Sequence, residues 1–173
     1  MLALRYNGWP LFAILIINGL ALSVPQITQA ESNVHPLPSP LSNTALSRED
    51  RSQVFFTMGI QKALNGDYQN AIADYDQALK LVPSNSEAYY NRGVAYFSIG
   101  HPQTALQDFS RAIELQPTMA EAYGNRGMIR SQLGDQQGAL ADYQEAKHLF
   151  HQKGDLSAAQ QMQNWINQQT NTP

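Results

Sequence analysis

The sequence predicts an all-α fold, an α-solenoid of three helical hairpins followed by one capping helix. The first observation behind this prediction is a repeat, because "AYYNRGVAYFSIG" at 88–100 returns as "AYGNRGMIRSQLG" at 122–134, 34 residues later. The second observation is that the signals which begin and end helices recur with the same spacing. Such a period indicates supersecondary units that bury their apolar faces against one another.

The repeat extends over three units, 52–85, 86–119 and 120–153. Small residues recur where the two helices of a unit would cross, and an aromatic residue recurs beside them. Small side chains let two helix backbones approach to about 8–10 Å. The predicted packing residues are Gly59, Gly93 and Gly127 on the first helices, Ala71, Ala105 and Ala139 on the second helices, and Tyr75, Phe109 and Tyr143 as the aromatics.

Residues 1–30 differ in character from the rest of the chain. Arg5 is followed by a charge-free apolar run at 11–22 and by small residues before Glu31. This order is typical of a secretory signal peptide cleaved before Glu31. The alternative is an uncleaved N-terminal membrane anchor. Both readings place the remainder of the chain outside the cytoplasm.

Residues 31–47 contain three prolines, at 36, 38 and 40, and are predicted to form a flexible tether. Helical order is expected from residue 48, because Ser47 and Asp50 have the spacing of a capping box. Further predicted signals are capping boxes at Ser84–Glu87 and Thr118–Glu121, helix-ending glycines at Gly100 and Gly134, and stops at Pro83 and Pro117. A capping helix is predicted at 154–169, followed by a tail at 170–173.

Composition excludes several classes of function. The chain has 11 basic and 14 acidic residues and no run of Lys or Arg, so a nucleic-acid partner is not expected. It has no cysteine, which excludes disulfides, thiolate metal sites and cysteine nucleophiles. Asp74 and Asp76 would point about 200° apart on a helix and cannot share a substrate. His148 and His151 lack a third ligand nearby, so we predict no metal site. The sequence also has no catalytic motif and no glycine-rich phosphate loop, so we predict no cofactor and no enzymatic activity.

The repeated residues resemble the tetratricopeptide repeat (TPR) family. That family has 34-residue helical hairpins with small residues at repeat positions 8, 20 and 27, an aromatic at 24 and proline at 32, and the resemblance covers 52–153. Lys62 and Arg130 depart from it where an aromatic is usual, as does His151 where proline is usual. The join at 149–155 and the glutamine-rich last helix also resemble small exported TPR proteins of cyanobacteria. This resemblance implies a periplasmic or thylakoid-lumenal location.

The resemblance implies a right-handed superhelix whose first helices line a concave groove for a protein or peptide segment. Asn91 and Asn125 fall where an amide can bind the backbone of a partner. The predicted groove residues are Phe56, Ile60, Tyr90, Asn91, Val94, Phe97, Asn125 and Met128. One TPR subclass grips C-terminal carboxylates with Lys and Arg in the groove. Here the corresponding places hold Phe56, Ile60, Glu121 and Asn125, so a chaperone tail is not expected.

Two arginines beside these asparagines are predicted to form structural ion pairs. Within a repeat, Arg92 would meet Asp108 and Arg126 would meet Asp142. Between repeats, Arg92 would meet Asp74 and Arg126 would meet Asp108. Spacing leaves both pairings open.

We therefore expect an exported, non-enzymatic adaptor or assembly factor. The alternative is a self-associating structural protein, because Val54, Phe55 and Met58 lie on a first helix that no earlier helix covers.

Overall fold

The computed structural model describes residues 46–170, and within this range all secondary structure is helical. The helices are α1 (Arg48–Leu64), α2 (Tyr68–Leu81), α3 (Ser86–Ser98), α4 (Pro102–Leu115), α5 (Ala120–Gln132), α6 (Gln136–Gln152) and α7 (Leu156–Thr170). The predicted leader at 1–30 and almost all of the tether lie outside the described residues. None of the described helices is both long enough and apolar enough to span a membrane.

The helices pair in chain order into three hairpins. The partners are α1 with α2, α3 with α4, and α5 with α6, and successive hairpins touch through α2 with α3 and α4 with α5. The last helix, α7, packs on α6. Each hairpin thus contacts mainly its neighbours along the chain, which confirms the predicted all-α helical-repeat solenoid.

Short polar side chains begin most of the helices. The Ser47 Oγ accepts from the Asp50 N–H at 2.9 Å and completes the predicted capping box. The predicted box at Ser84–Glu87 is wrong, because Asn85 is the N-cap and accepts from the Ala88 N–H at 2.9 Å. Glu87 then falls one position too early for the box geometry.

The other predicted box, at Thr118–Glu121, is wrong for the same reason. The N-cap of α5 is Met119, which makes no side-chain cap hydrogen bond. Both Glu87 and Glu121 are therefore free of a capping role, while they still lie in the first turns of their helices.

The predicted small-to-aromatic contacts hold each hairpin together. A Cβ built on Gly59 would lie 2.6 Å from the Tyr75 ring, and one on Gly127 would lie 2.9 Å from the Tyr143 ring. Tyr75 and Tyr143 are fully buried. The aromatic ring therefore occupies the space that a side chain on the glycine would need.

The two ends of the solenoid differ. At the C-terminal end, α7 buries Met162 and sets Trp165 5.2 Å from the Tyr143 ring, between centroids. At the N-terminal end, Leu46 before α1 is 59% exposed, and Val54 and Met58 on α1 are 48% and 44% exposed. The C-terminal end is thus closed by a polar helix, and the N-terminal end presents an apolar face.

Candidate protein-binding groove

The first helices of the three hairpins, α1, α3 and α5, present equivalent side chains at each 34-residue step. A hydrogen bond of 3.1 Å from Asn125 Nδ2 to the Tyr90 hydroxyl joins α5 to α3 on this side. We call the set of these positions the groove stripe. Its rows, from α1 through α3 to α5, are Gln53, Glu87 and Glu121; Thr57, Asn91 and Asn125; Ile60, Val94 and Met128; and Leu64, Ser98 and Gln132.

The groove stripe is open on α1 and α3. Leu64 is 60% exposed, and Ile60 and Val94 are half-buried. Phe97, which lies beside the stripe on α3, is also half-buried. Exposed Thr57 and half-buried Asn91 lie beside these apolar groups. A partner segment would therefore meet an apolar row flanked by hydroxyl and amide groups.

Three predicted groove residues are buried instead of available to a partner. Phe56 is only 5% exposed because its ring packs 6.0 Å from Tyr75, between centroids. Asn125 and Met128 are 5% and 4% exposed. The amide of Asn125 serves Tyr90 within the protein. The prediction that these three line an open groove is wrong.

Asn91 keeps part of its predicted binding capacity. One N–H of its amide donates to the Glu87 carbonyl oxygen at 2.8 Å, one helical turn earlier. Its other N–H and its carbonyl oxygen remain the groups that could serve a partner backbone. Tyr90 is half-buried, and its hydroxyl accepts from Asn125.

Sequence reasoning missed Thr57 and Leu64. The signal was present, because Thr57 lies 34 residues before Asn91 and Leu64 lies 34 before Ser98. The aromatic side chain of Phe56 drew the prediction to the neighbouring position, which points into the core.

The edge of the groove stripe is acidic. Glu87 is exposed, while the Glu121 carboxylate lies 3.2 Å from Lys153 Nζ. Burial raises the pKa of the Tyr90 phenol, and the nearby Glu121 charge raises it further. Glu121 therefore lies beside the α3–α5 contact.

Arg92 and Arg126 follow the stripe residues Asn91 and Asn125 in the sequence, and their side chains join helices within and between hairpins. Arg92 donates to both carboxylate oxygens of Asp108 through Nε and Nη2, at 2.9 and 2.7 Å. Its Nη1 donates to Asp76 of the preceding hairpin at 2.6 Å. The within-repeat pairing is the one observed, and a contact between repeats is added through Asp76.

Arg126 repeats this arrangement. It donates to both oxygens of Asp142, at 3.0 and 2.7 Å, and to the Ser110 hydroxyl at 3.3 Å. Arg130 adds a third contact to Asp142 at 2.8 Å. Asp76 and Ser110 occupy the same repeat position, so both arginines reach the preceding hairpin in the same way.

The alternative pairing of Arg92 with Asp74 is wrong. Asp74 lies on the equivalent face of the first hairpin, where Lys62 Nζ approaches its Oδ2 at 2.6 Å. The equivalent repeat position in α1 to Arg92 is Met58, so the first hairpin has no arginine there. Lys62, one of the departures from the family pattern, supplies the compensating charge.

Metal-ligating side chains do not cluster in residues 46–170. No set of three or more His, Asp or Glu side chains there is arranged to hold a metal ion. The His148 ring contacts the Gln152 amide at 2.9 Å.

Comparison with known families and structures gives the following likenesses. Models described as "TPR repeat" and "Tetratricopeptide repeat" match residues 62–100, 86–119 and 120–147. No curated protein sequence matches the chain significantly.

Three solved structures are similar. The Arabidopsis OM64 TPR domain has 25% identity and a TM-score of 0.64, covering 70% of this chain and 98% of that one. The first TPR of Spaghetti (RPAP3), bound to the HSP90 peptide SRMEEVD, has 25% identity and a TM-score of 0.63, covering 72% and 96%. PcrH, in complex with the chaperone binding region of PopD, has 20% identity and a TM-score of 0.68, covering 72% and 94%. The last likeness shows the fold alone.

Proposed function

The chain contains tetratricopeptide repeats, and from this premise we propose that it is a non-enzymatic adaptor or assembly factor that binds a segment of a partner protein. The repeat class mediates protein–protein interaction. The open part of the groove stripe, on α1 and α3, is the binding surface.

One observation carries this proposal: half-buried Ile60, Val94 and Phe97 and exposed Leu64 lie beside hydrogen-bonding groups on adjacent helices. Exposed apolar groups clustered on one surface are typical of interaction sites. Burying such side chains contributes about 25 cal/mol for each Å² removed from water. Thr57 and Asn91 would add direction by bonding a partner backbone.

The similar RPAP3 domain binds an acidic peptide, SRMEEVD. This chain has no Lys or Arg at any of the twelve positions of the groove stripe. An acidic C-terminal tail would therefore lack its countercharges here. The proposed partner is a different kind of segment.

A comparison of variants tests groove binding. We expect partner proteins recovered from the exported fraction to be lost with Asn91→Ala/Phe97→Ala. Gln107→Ala, an exposed change on α4, is the matched control and should retain them. Unchanged recovery with the groove variant would refute the proposal.

Export is part of the proposal and is supported by the sequence of residues 1–30. Under this proposal the mature protein begins at Glu31 and is found in the periplasm or the thylakoid lumen. N-terminal sequencing of the protein from fractionated cells is the test. A retained anchor would give the full-length chain in the membrane fraction, and a full-length chain in the cytoplasm would contradict export.

Self-association is a second candidate function, favoured by the face of α1. Ala88 of α3 and Ala122 of α5 are fully buried against the preceding hairpin. The equivalent residue of α1 is Val54, which is 48% exposed, and Met58 lies beside it. Phe55 is only half-buried and packs against the core.

Under this candidate, two copies cover the apolar faces of their α1 helices against each other. Mass by light scattering across a range of protein concentrations is the measurement. A dimer that Val54→Asp/Met58→Asp converts to a monomer would support it, and a monomer at every concentration would exclude it.

A further inference from the structure

Equivalent carboxylates in the second and third hairpins have different surroundings. Glu87 and Glu121 occupy the same repeat position at the same edge of the groove stripe. Glu121 is paired with Lys153, whose Nζ lies 3.2 Å away. A cationic side chain is thus accommodated at this position in the third hairpin, within the protein itself.

The second hairpin has no such internal cation. The residue 34 positions before Lys153 is Met119, which is buried in an apolar cluster with Ala112 and Ile113. Across residues 46–170, no Lys, Arg or His lies within ion-pair distance of the Glu87 carboxylate. Glu87 is exposed and carries an uncompensated charge at the edge of the open surface.

No capping bond and no ion pair within residues 46–170 engages this carboxylate. Asn85 caps α3, so Glu87 is not required by a capping box. Its position in the first turn contributes to helix stability through the helix dipole, but that contribution needs no partner. The side chain remains available to a cation brought by another molecule.

The distance from Glu87 to the apolar row restricts the ligand. Val94 follows Glu87 by seven residues on α3, a rise of about 10 Å along the helix axis. Three residues of an extended chain cover about the same distance. Phe97 follows Val94 by three residues, about one helical turn, and both pack against the same apolar cluster.

We propose that the groove binds a basic, apolar segment, in which a Lys or Arg side chain pairs with Glu87 while an apolar side chain about three residues away packs on Val94 and Phe97. This inference rests on the proposed function of the groove. It deepens that function by assigning the charge of the partner, which is opposite to that of the peptide held by the similar RPAP3 domain.

Selection from a phage library of random dodecapeptides, with the full chain as bait, tests the inference. We expect the selected peptides to be enriched in Lys and Arg relative to the input library, with an apolar residue about three positions away. A synthetic peptide of the consensus sequence then serves as the probe for affinity measurements.

Three variants separate the charge from the groove itself. Glu87→Gln should lower the affinity for the probe about three- to fivefold, as expected for a partly exposed ion pair. Added salt should lower the affinity of the wild type for the probe. Val94→Asp should abolish binding because it places a charge in the apolar row, and its circular dichroism should stay that of the wild type, which separates lost binding from lost folding. Glu145→Gln removes an exposed carboxylate from α6 and should leave affinity unchanged.

The outcomes distinguish the two proposals. The basic-ligand inference would be overturned if the selected peptides were acidic or neutral, or if wild type and Glu87→Gln bound the probe equally. Groove binding itself would still stand in that case if Val94→Asp abolished peptide binding. Failure to select any peptide, or a probe that binds Val94→Asp as well as wild type, would overturn the proposed function and this inference with it.

Discussion

Arg92 links three carboxylate oxygens through one guanidinium group. Two belong to Asp108 in the same hairpin and one to Asp76 in the preceding hairpin. Asp108 is 4% exposed, so its charge depends on Arg92 for compensation. The ring of Tyr89 lies 5.3 Å from the guanidinium carbon and covers one of its faces. A single side chain thus stabilises both a hairpin and its junction.

Arg92→Ala should lower the free energy of unfolding by about 2–3 kcal/mol, because it leaves the Asp108 carboxylate buried without a countercharge. Urea denaturation of Arg92→Ala, Asp108→Asn and the double variant measures the coupling between the two. The exposed pair of Arg111 and Glu114 is the control, and its cycle should show no measurable coupling. Additive effects in the Arg92 cycle would contradict the assigned pairing.

The same pair makes stability depend on pH. Burial raises the pKa of the Asp108 carboxyl above 3.8, although hydrogen bonds from Arg92 lower it in part. The folded state therefore binds this proton more tightly than the unfolded state. The stabilisation from that proton is complete below pH 3.8 and is lost as the pH rises through the folded-state pKa.

Removing Arg92 takes away the contribution that lowers this pKa. We expect the destabilisation by Arg92→Ala to be smaller at about pH 4.5 than at about pH 7, because the unpaired carboxyl is then partly neutral. Urea midpoints at the two values measure it. In the Asp108→Asn background, the destabilisation by Arg92→Ala should be the same at both pH values. A smaller destabilisation at about pH 4.5 in that background would show that another group causes the pH dependence.

At the scale of the element, the glycine–aromatic contact sets how closely the two helices of a hairpin pack. Gly59→Ala should destabilise the protein by about 1–3 kcal/mol, because its Cβ would lie 2.6 Å from the Tyr75 ring. The clash must exceed the gain of about 1 kcal/mol that alanine brings to a helix. Thermal unfolding is the measurement.

Gly93→Ala is the matched comparison, because its nearest neighbour, Phe109 Cε1, would be 3.0 Å away. We expect a smaller loss there than at Gly59. Equal losses would show that backbone properties, and not the ring contact, decide the cost.

The last helix stabilises the third hairpin through Trp165, which is 8% exposed and packs on Tyr143. Trp165→Ala should cost about 3 kcal/mol of unfolding free energy, from lost burial and the cavity left behind. Urea denaturation checks it, with Asn164→Ala on the exposed side of α7 as the control. A loss no larger than the control's would mean that α7 is dispensable.

Much at this scale followed from sequence. The 34-residue period located every hairpin, because small residues and aromatics must recur wherever helices cross. The N-caps Asn85 and Met119 were missed, because adjacent residues compete for the N-cap position and only backbone geometry decides between them. Phe56 was misplaced, because a shift of one residue turns a helical side chain by about 100°. Asn125 has the expected repeat position, but its contact with Tyr90 of the preceding hairpin buries it, and spacing along the chain does not reveal that contact.

The ion pairs were predicted in kind but not in detail. Asp76, Ser110 and Arg130 entered the network only once the packing of successive hairpins was known. Spacing along the chain identifies which residues share a repeat position. It does not say how far a long arginine side chain reaches into the next hairpin.

Over the described residues as a whole, contacts join neighbours along the chain, so stability should vary along the solenoid. α1 buries only one large apolar side chain, Phe56, whereas α7 buries Met162, Trp165 and Ile166. We expect backbone amides of α1 to exchange with solvent faster than those of α7, and those of α3 to α6 slowest. Hydrogen exchange followed by mass spectrometry measures this order, and uniform protection would indicate one cooperative unit.

The contrast between the two ends gives the molecule a direction in which it could be lengthened. A further hairpin joined before Arg48 would find Leu46, Val54 and Met58 ready to be buried. One joined after Thr170 would meet the exposed polar side of α7, with Gln160, Asn164 and Asn167. A new hairpin could therefore be added at the beginning of the array without changing α1. At the end of the array, the polar surface of α7 would first have to be replaced by an apolar one.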